Sequence, residues 1–202
     1  MQKNKFPGKF IVIEGLDGSG SSTQIFRVTD FLKESGKKIH ITKEPTNNLI
    51  GGLIRGQLSG DWKSSPECLQ LLFAADRAHH LEKEIIPLLK KGVTVISDRY
   101  FFSTVAFGSA EIKDRKWLIN INDRFILPDL TILIKVSPEI CIKRMRESRF
   151  RIELFEERKK LEKTWRGYEK LAKEFDNIKI VNGERNIQEI SYEILNLIEK
   201  VF

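Results

Sequence analysis

Cysteine is scarce in this chain. Cys68 and Cys141 are the only two among 202 residues, and they stand far apart with neither CxxC nor metal-ligand spacing. Such a pair supports no zinc site and no disulfide framework; both read as buried apolar groups of a reducing compartment. No apolar run approaches the roughly 18 residues of a membrane span. The opening MQKNKFPGKF is basic but has no apolar stretch of secretory type. Low-complexity tracts, linkers and internal repeats are lacking as well. The expectation is one cytoplasmic domain over residues 1–202, with no membrane partner.

What is present is ordinary in amount and informative in order. Hydrophobic residues make up 41% and charged residues 31%, and Lys and Arg exceed Asp and Glu by 35 to 28 for a net charge of +7. A basic balance suits an anionic ligand without choosing among nucleic acid, acidic lipid and nucleotide. Nucleic-acid binding would need aromatics interleaved with the basic residues or a known module, and neither occurs.

Short Ile- and Val-rich runs alternate with helical patterns. Phe10–Glu14, Lys38–Thr42, Val93–Ser97, Leu130–Val136 and Ile178–Val181 are of strand length, and their lack of strict alternation fits strands buried on both faces of a parallel sheet. Ile25, Val28 and Leu32 mark one face of a helix ended by Gly36. Ser65-Pro66-Glu67 opens a long helix to about Lys91, with Pro87 bending its last turn. Ser137-Pro138-Glu139 opens another, and Asn186 with Glu189 reads as a capping box before a final amphipathic helix. Five strands alternating with helices predict an α/β three-layer fold, a five-stranded parallel sheet with helices on both faces and ligands at the carboxyl ends of the strands.

The first predicted strand runs into Gly15-Leu-Asp-Gly18-Ser-Gly20-Ser21-Ser22-Thr23. The phosphate-binding pattern is G-x-x-x-x-G-K-[ST] between a strand and a helix. Gly15 and Gly20 are correctly spaced, and Ser22 stands where a hydroxyl would meet Mg²⁺. Asp17, Gly18, Ser19, Ser21 and Thr23 complete a loop whose amides could cradle the phosphates of ATP. The lysine position holds Ser21.

An ordered series of segments resembles the thymidylate kinase family over nearly the whole chain. It comprises Ile13-Glu-Gly-Leu-Asp-Gly-Ser-Gly20, Lys43-Glu-Pro45, Leu71-Leu-Phe-Ala-Ala-Asp-Arg77, Asp98-Arg-Tyr100 with Ser103 and Val105-Ala-Phe107, Pro128-Asp-Leu-Thr131 and the Arg-rich Arg144–Glu153. The resemblance implies an ATP:dTMP phosphotransferase acting with Mg²⁺ on small-molecule nucleotides, commonly as a homodimer. Its chemistry needs no strong general base, since the acceptor oxygen is already anionic. It needs two polyanions held in line with their charge neutralised.

Several residues answer that need. Asp98, directly after a strand, is placed to hold Mg²⁺ through water, and the resemblance assigns Arg99 to the acceptor phosphate. Phe73 and Arg77, four apart on a helix, would offer a stacking ring and a donor to the base. By resemblance Asp17 also receives the sugar 3′-hydroxyl, Phe107 lies under the deoxyribose, and Glu44 and Ser103 line the acceptor site. The stretch 143–166 carries ten basic and five acidic residues, five of the chain's net seven charges. In the family it is a lid, expected here over about 144–155. Gly18 leaves the loop without the Arg that some members carry there, so Arg149 and Arg151, then Arg144 and Arg146, are the candidate catalytic cations.

Three departures bear on function. Ser21 removes a cation from the β/γ bridge. Thr46-Asn47-Asn48 replaces a Gly-rich or Arg-bearing segment, leaving Arg55 as a candidate acceptor-phosphate cation. Gly108-Ser109 stands where many members have Gln-Gly. A kinase of the same fold with another (deoxy)nucleotide acceptor, or a nucleotide-binding protein of low activity, therefore stays open at this point.

Overall fold

The computed structural model describes residues 1–148 and 154–202, with the backbone alone for 147, 148 and 154–157. Arg149 and Arg151 lie outside the described residues. In chain order the elements are β1 (Gln2–Lys3), β2 (Phe10–Gly15), α1 (Ser21–Glu34), β3 (Ile39–Lys43), α2 (Leu49–Ser59) and α3 (Pro66–His80). A π-helical turn (Leu81–Ile85), α4 (Ile86–Lys90), β4 (Thr94–Asp98), α5 (Phe101–Gly108), α6 (Arg115–Asn120) and β5 (Ile126–Leu127) follow. The remainder comprises β6 (Leu130–Lys135), α7 (Pro138–Ser148), α8 (Leu154–Glu174), β7 (Ile178–Asn182) and α9 (Ile187–Glu199).

Five strands form one parallel sheet in the order β3-β4-β2-β6-β7, so β2 is central. All six residues of β2 are buried, which explains an uninterrupted apolar run closed by one carboxylate, Glu14. The edge strands β3 and β7 are less covered. α1 packs on β2, β3, β4 and α9, while α4, α5 and α8 supply the second helical layer. The five predicted strands match within a residue or two. The two-residue strands β1 and β5 pair with each other, and their brevity leaves no readable pattern.

The long helix expected from Pro66 to Lys91 is three segments. Ser65 caps its start by accepting the Cys68 N–H at 3.2 Å, and the π-helical turn widens the coil just ahead of Pro87. Proline has no N–H and its ring presses on the carbonyl four residues back, here within that turn; the wider turn accommodates both effects. Asn186 caps α9 by accepting the Gln188 N–H at 2.8 Å. Among the described residues no helix is long and apolar enough to cross a membrane.

Candidate active site

Because β2 is central and its neighbours connect in different directions, the carboxyl end of the sheet opens at β2 and β4. The chain leaving β2 turns through 16–20, with the Ser19 N–H donating to the Leu16 carbonyl at 3.0 Å, and enters α1. Gly18 and Gly20 have φ of 81° and 91°, a region other residues rarely adopt. At Gly18 a Cβ would also lie 2.6 Å from the Cys141 carbonyl oxygen. An arginine at that place would strain this loop, for steric as well as conformational reasons. α1 starts without a side-chain cap and without an acidic residue in its first turn. Its free N–H groups and partial positive charge face a cleft of about 360 Å³.

Two hydroxyls and one carboxylate share that cleft. Ser22 donates to Asp98 at 2.7 Å and Ser21 donates to it at 3.1 Å, joining the start of α1 to the end of β4. Arg99, next in sequence, is the single non-glycine residue with positive φ (73°) among the described residues. Its N–H donates to the Ile13 carbonyl at 2.9 Å. That conformation aims the guanidinium back over the loop, where it donates to Asp17 at 2.6 Å and lies 5.0 Å from the centre of the Phe107 ring. Desolvation works against its charge, but Asp17, with Tyr168, Glu14 and Asp98 beyond it, holds it more firmly protonated than usual. Arg144 also lines the cleft; it donates to the Ser19 and Gly183 carbonyls, each at 3.2 Å. Arg146 sits exposed on α7.

Glu14 lies beneath this cleft, fully buried. It accepts from the Tyr100 and Ser103 N–H groups at 2.9 and 3.2 Å, from the Ser103 hydroxyl at 2.5 Å and from the Tyr168 hydroxyl at 2.8 Å. A carboxylate from the central strand thus caps α5, whose own first residues offer no side-chain cap. Burial pushes the Glu14 carboxyl up to about 7, against the opposing pull of Ser103, Arg99 and Tyr168.

On α3, Phe73 is half-buried, and Arg77 one turn later is buried completely. Expected as a free donor for a base, Arg77 donates to Glu44 at 2.6 Å, Asn122 at 2.5 Å and Thr104 at 3.1 Å, and stands 5.0 Å from the Tyr100 ring centre. Its Nε has no hydrogen-bond partner among the described residues. His80 approaches the other Glu44 oxygen at 3.2 Å. Arg55 is exposed and donates to the Thr46 carbonyl. Thr46 itself is held by Asp76, through its N–H at 2.8 Å and its hydroxyl at 2.6 Å. Thr46-Asn47-Asn48 is thus a pinned corner, with Asn48 capping α2 through the Gly51 N–H at 3.1 Å.

The structure gathers Asp17, Gly18, Gly20, Ser21, Ser22, Thr23, Asp98 and Arg99 around one cleft. It puts Ser103 on Glu14 and Glu44 on Arg77 beside it, and Arg55 on the Thr46 corner. Sequence reasoning missed Glu14, Tyr168, Asn122 and His80 as partners of these groups. A lone carboxylate closing an apolar strand was a usable signal for the first; the other three come from remote helices and a turn, and carried none.

The chain is similar to known proteins over nearly its whole length. Residues 13–194 match a family model described as thymidylate kinase. A probable thymidylate kinase of Thermococcus gammatolerans is 39% identical, with 96% of this chain and 97% of the relative covered. One from Thermococcus onnurineus is 40% identical over 94% and 97%. The thymidylate kinase of Carboxydothermus hydrogenoformans is 36% identical over 95% and 97%.

Proposed function

This chain belongs to the thymidylate kinase family, and from that premise we infer that it transfers the terminal phosphoryl group of ATP to dTMP, giving dTDP and ADP. The observation that carries the inference is the convergence, in one cleft, of an uncapped helix start, a carboxylate bonded to two hydroxyls and a strained arginine. Unsatisfied amides at a helix start favour phosphate. An arginine held in a sparsely populated conformation signals a group kept for function.

The amides of 18–23 would grip the donor's phosphates. Ser22 and Asp98 are hard oxygen donors 2.7 Å apart, which suits Mg²⁺, an ion that keeps several waters and takes one or two protein oxygens besides phosphate. Mg²⁺ bound there would neutralise charge on the transferring group. Arg99, already fixed by Asp17 and by its backbone, would receive the acceptor phosphate through its fork of donors. Asp17 would exchange part of its bond to Arg99 for the sugar hydroxyl. Phe107 would lie against the deoxyribose and Phe73 against the pyrimidine, with Arg77, fixed by Glu44, at the base edge. Arg149 and Arg151 would bring further positive charge to the triphosphate. Residues 1–202 would act as one kinase domain. Homodimerisation fits the exposed apolar side chains of the adjoining helices α2 and α3, where Leu49, Leu53, Leu58 and Leu71 are 81%, 46%, 60% and 51% exposed.

A coupled ADP-release assay across nucleoside monophosphates tests the inference. dTMP should be the preferred acceptor, and silence with every acceptor would refute phosphoryl transfer. Ser21 favours one further reading, a nucleotide binder of low turnover. Were that correct, dTDP formation would stay near background while ATP bound normally, and Ser21→Lys would raise the rate.

A further inference from the structure

Ser21 leaves a gap in the charge balance of the donor site, and the described cations around the loop are mostly occupied. Arg99 is engaged by Asp17, and Arg144 bridges the Ser19 and Gly183 carbonyls. The end of β3 is different. Lys43 pairs in register with Asp98 of β4, and register partners on neighbouring parallel strands, about 4.8 Å apart, project from the same face of the sheet. On that face Asp98 meets Ser21 and Ser22. Lys43 is exposed, and its ammonium makes no ion pair or hydrogen bond with any described residue, not even with the carboxylate of adjacent Asp98. It lines a second cleft, of about 500 Å³, that shares Ser22 and Asp98 with the phosphate cleft and is otherwise walled by α1, β3, the Thr46 corner and Glu84 of the π-helical turn, whose carboxylate is engaged by His40 at 2.7 Å.

We propose that Lys43 is a catalytic residue that replaces the absent lysine of the phosphate loop, reaching across Asp98 to the terminal phosphates of the donor. The proposal rests on the phosphoryl-transfer reading above and adds to it a cation at the end of β3, beside the arginines already assigned to the triphosphate. A lysine fits this role because its ammonium is a compact point charge on a flexible four-carbon stem, able to meet phosphate oxygens from a neighbouring strand. Position 21 can then be a small hydroxyl, which ties α1 to Asp98 and leaves the space beside Ser22 open. The cation would then come from the end of β3 instead of the helix start, in register with Asp98, one of the two residues whose oxygens would hold Mg²⁺.

The decisive experiment combines Lys43→Ala, Ser21→Lys and the double variant, with Arg144→Ala as comparator, after equal melting temperatures show that each is folded. Lys43→Ala should lower kcat by about 100-fold, the usual effect of removing one positioned charge donor, and leave KM for dTMP unchanged. Adding Ser21→Lys should restore at least about a tenfold share of that loss. Calorimetry supplies a readout independent of turnover: with Mg²⁺, Lys43→Ala should weaken the β,γ-imido analogue of ATP by about tenfold and leave AMP unaffected. The proposal is overturned if Lys43→Ala matches the wild type in both measurements, if AMP and the analogue weaken equally, or if Ser21→Lys fails to relieve the deficit. It is overturned too if Arg144→Ala shows the deficit that Ser21→Lys repairs. A wild type inert with every monophosphate would refute the phosphoryl-transfer reading instead, and the calorimetric comparison would still decide whether Lys43 meets the phosphates.

Discussion

At the residue scale, two buried carboxylates are held in opposite ways. Glu44 is compensated: Arg77 and His80 each meet one of its oxygens. Removing the arginine from this fully buried pair leaves Glu44 out of water with His80 as its remaining partner, and breaking a buried ion pair costs about 3–5 kcal/mol. Arg77→Ala should therefore lower stability by that order, and Arg77→Met combined with Glu44→Gln should lower it less; chemical denaturation of the three proteins measures both, and equal losses would deny the coupling. Glu14 makes no direct ion pair among the described residues and is surrounded by hydroxyls and amides, and burial raises it from 4.5 to about 7. A carboxyl that binds its proton more tightly when folded contributes stability that is fully present below the unfolded value. That contribution is lost as pH rises through the folded one. The native state should therefore lose about 3 kcal/mol from this group between pH 4.5 and 7, or several degrees in melting temperature. Glu14→Gln cannot titrate, so its melting temperature should fall less over the same interval; parallel curves for the two proteins would refute the assignment.

At the scale of elements, the loop between β2 and α1 is decided by what it cannot contain. Gly18 has both a left-handed backbone and a carbonyl oxygen of α7 where its Cβ would be. Gly18→Arg should therefore lower the affinity for ATP by at least about tenfold, because a strained residue worth about 1–3 kcal/mol would displace the loop from α7; an unchanged calorimetric affinity would show that the loop tolerates the shift. Most of the scaffold was legible in the sequence for a physical reason. Strands buried on both faces read as unbroken apolar runs, and prolines and caps mark helix starts, so five strands and the glycine turn could be placed from residues alone. The π-helical turn before Pro87 was less legible, since proline announces a disturbance and not the form it takes. The gathering of residues around the candidate site was legible where one motif holds them, as at 17–23 and 98–99. It was not where the partners are brought together by topology: nothing near Tyr168 points to Glu14, 154 residues away, and nothing near Asn122 points to Arg77.

At the scale of the whole molecule, the sheet order puts β4 and β3 on one side of the phosphate loop, so strand ends converge on a single charge problem. The net charge is +7 and both proposed substrates are polyanions. Five of those charges come from the sequence stretch 143–166, ten basic against five acidic, of which Arg144 lines the cleft. Such a one-sided field raises the local concentration of anions and speeds encounter, and salt screens it over roughly 10 Å at 0.1 M. Contacts inside the cleft, at Arg99, Asp98 and the loop amides, are shorter than this and partly shielded from solvent, so salt weakens them less. The two contributions can be separated. Raising ionic strength from about 0.02 to 0.3 M should lower kcat/KM for ATP by about tenfold or more while changing kcat little, since turnover begins with both nucleotides in place. Neutralising Arg158, Lys159 and Lys160 on the solvent side of α8 should flatten that salt dependence and leave kcat intact. A kcat that falls as steeply as kcat/KM would show instead that the charges acting at long range are those that stabilise the reaction itself, and the distinction between a steering field and a fixed site would fail.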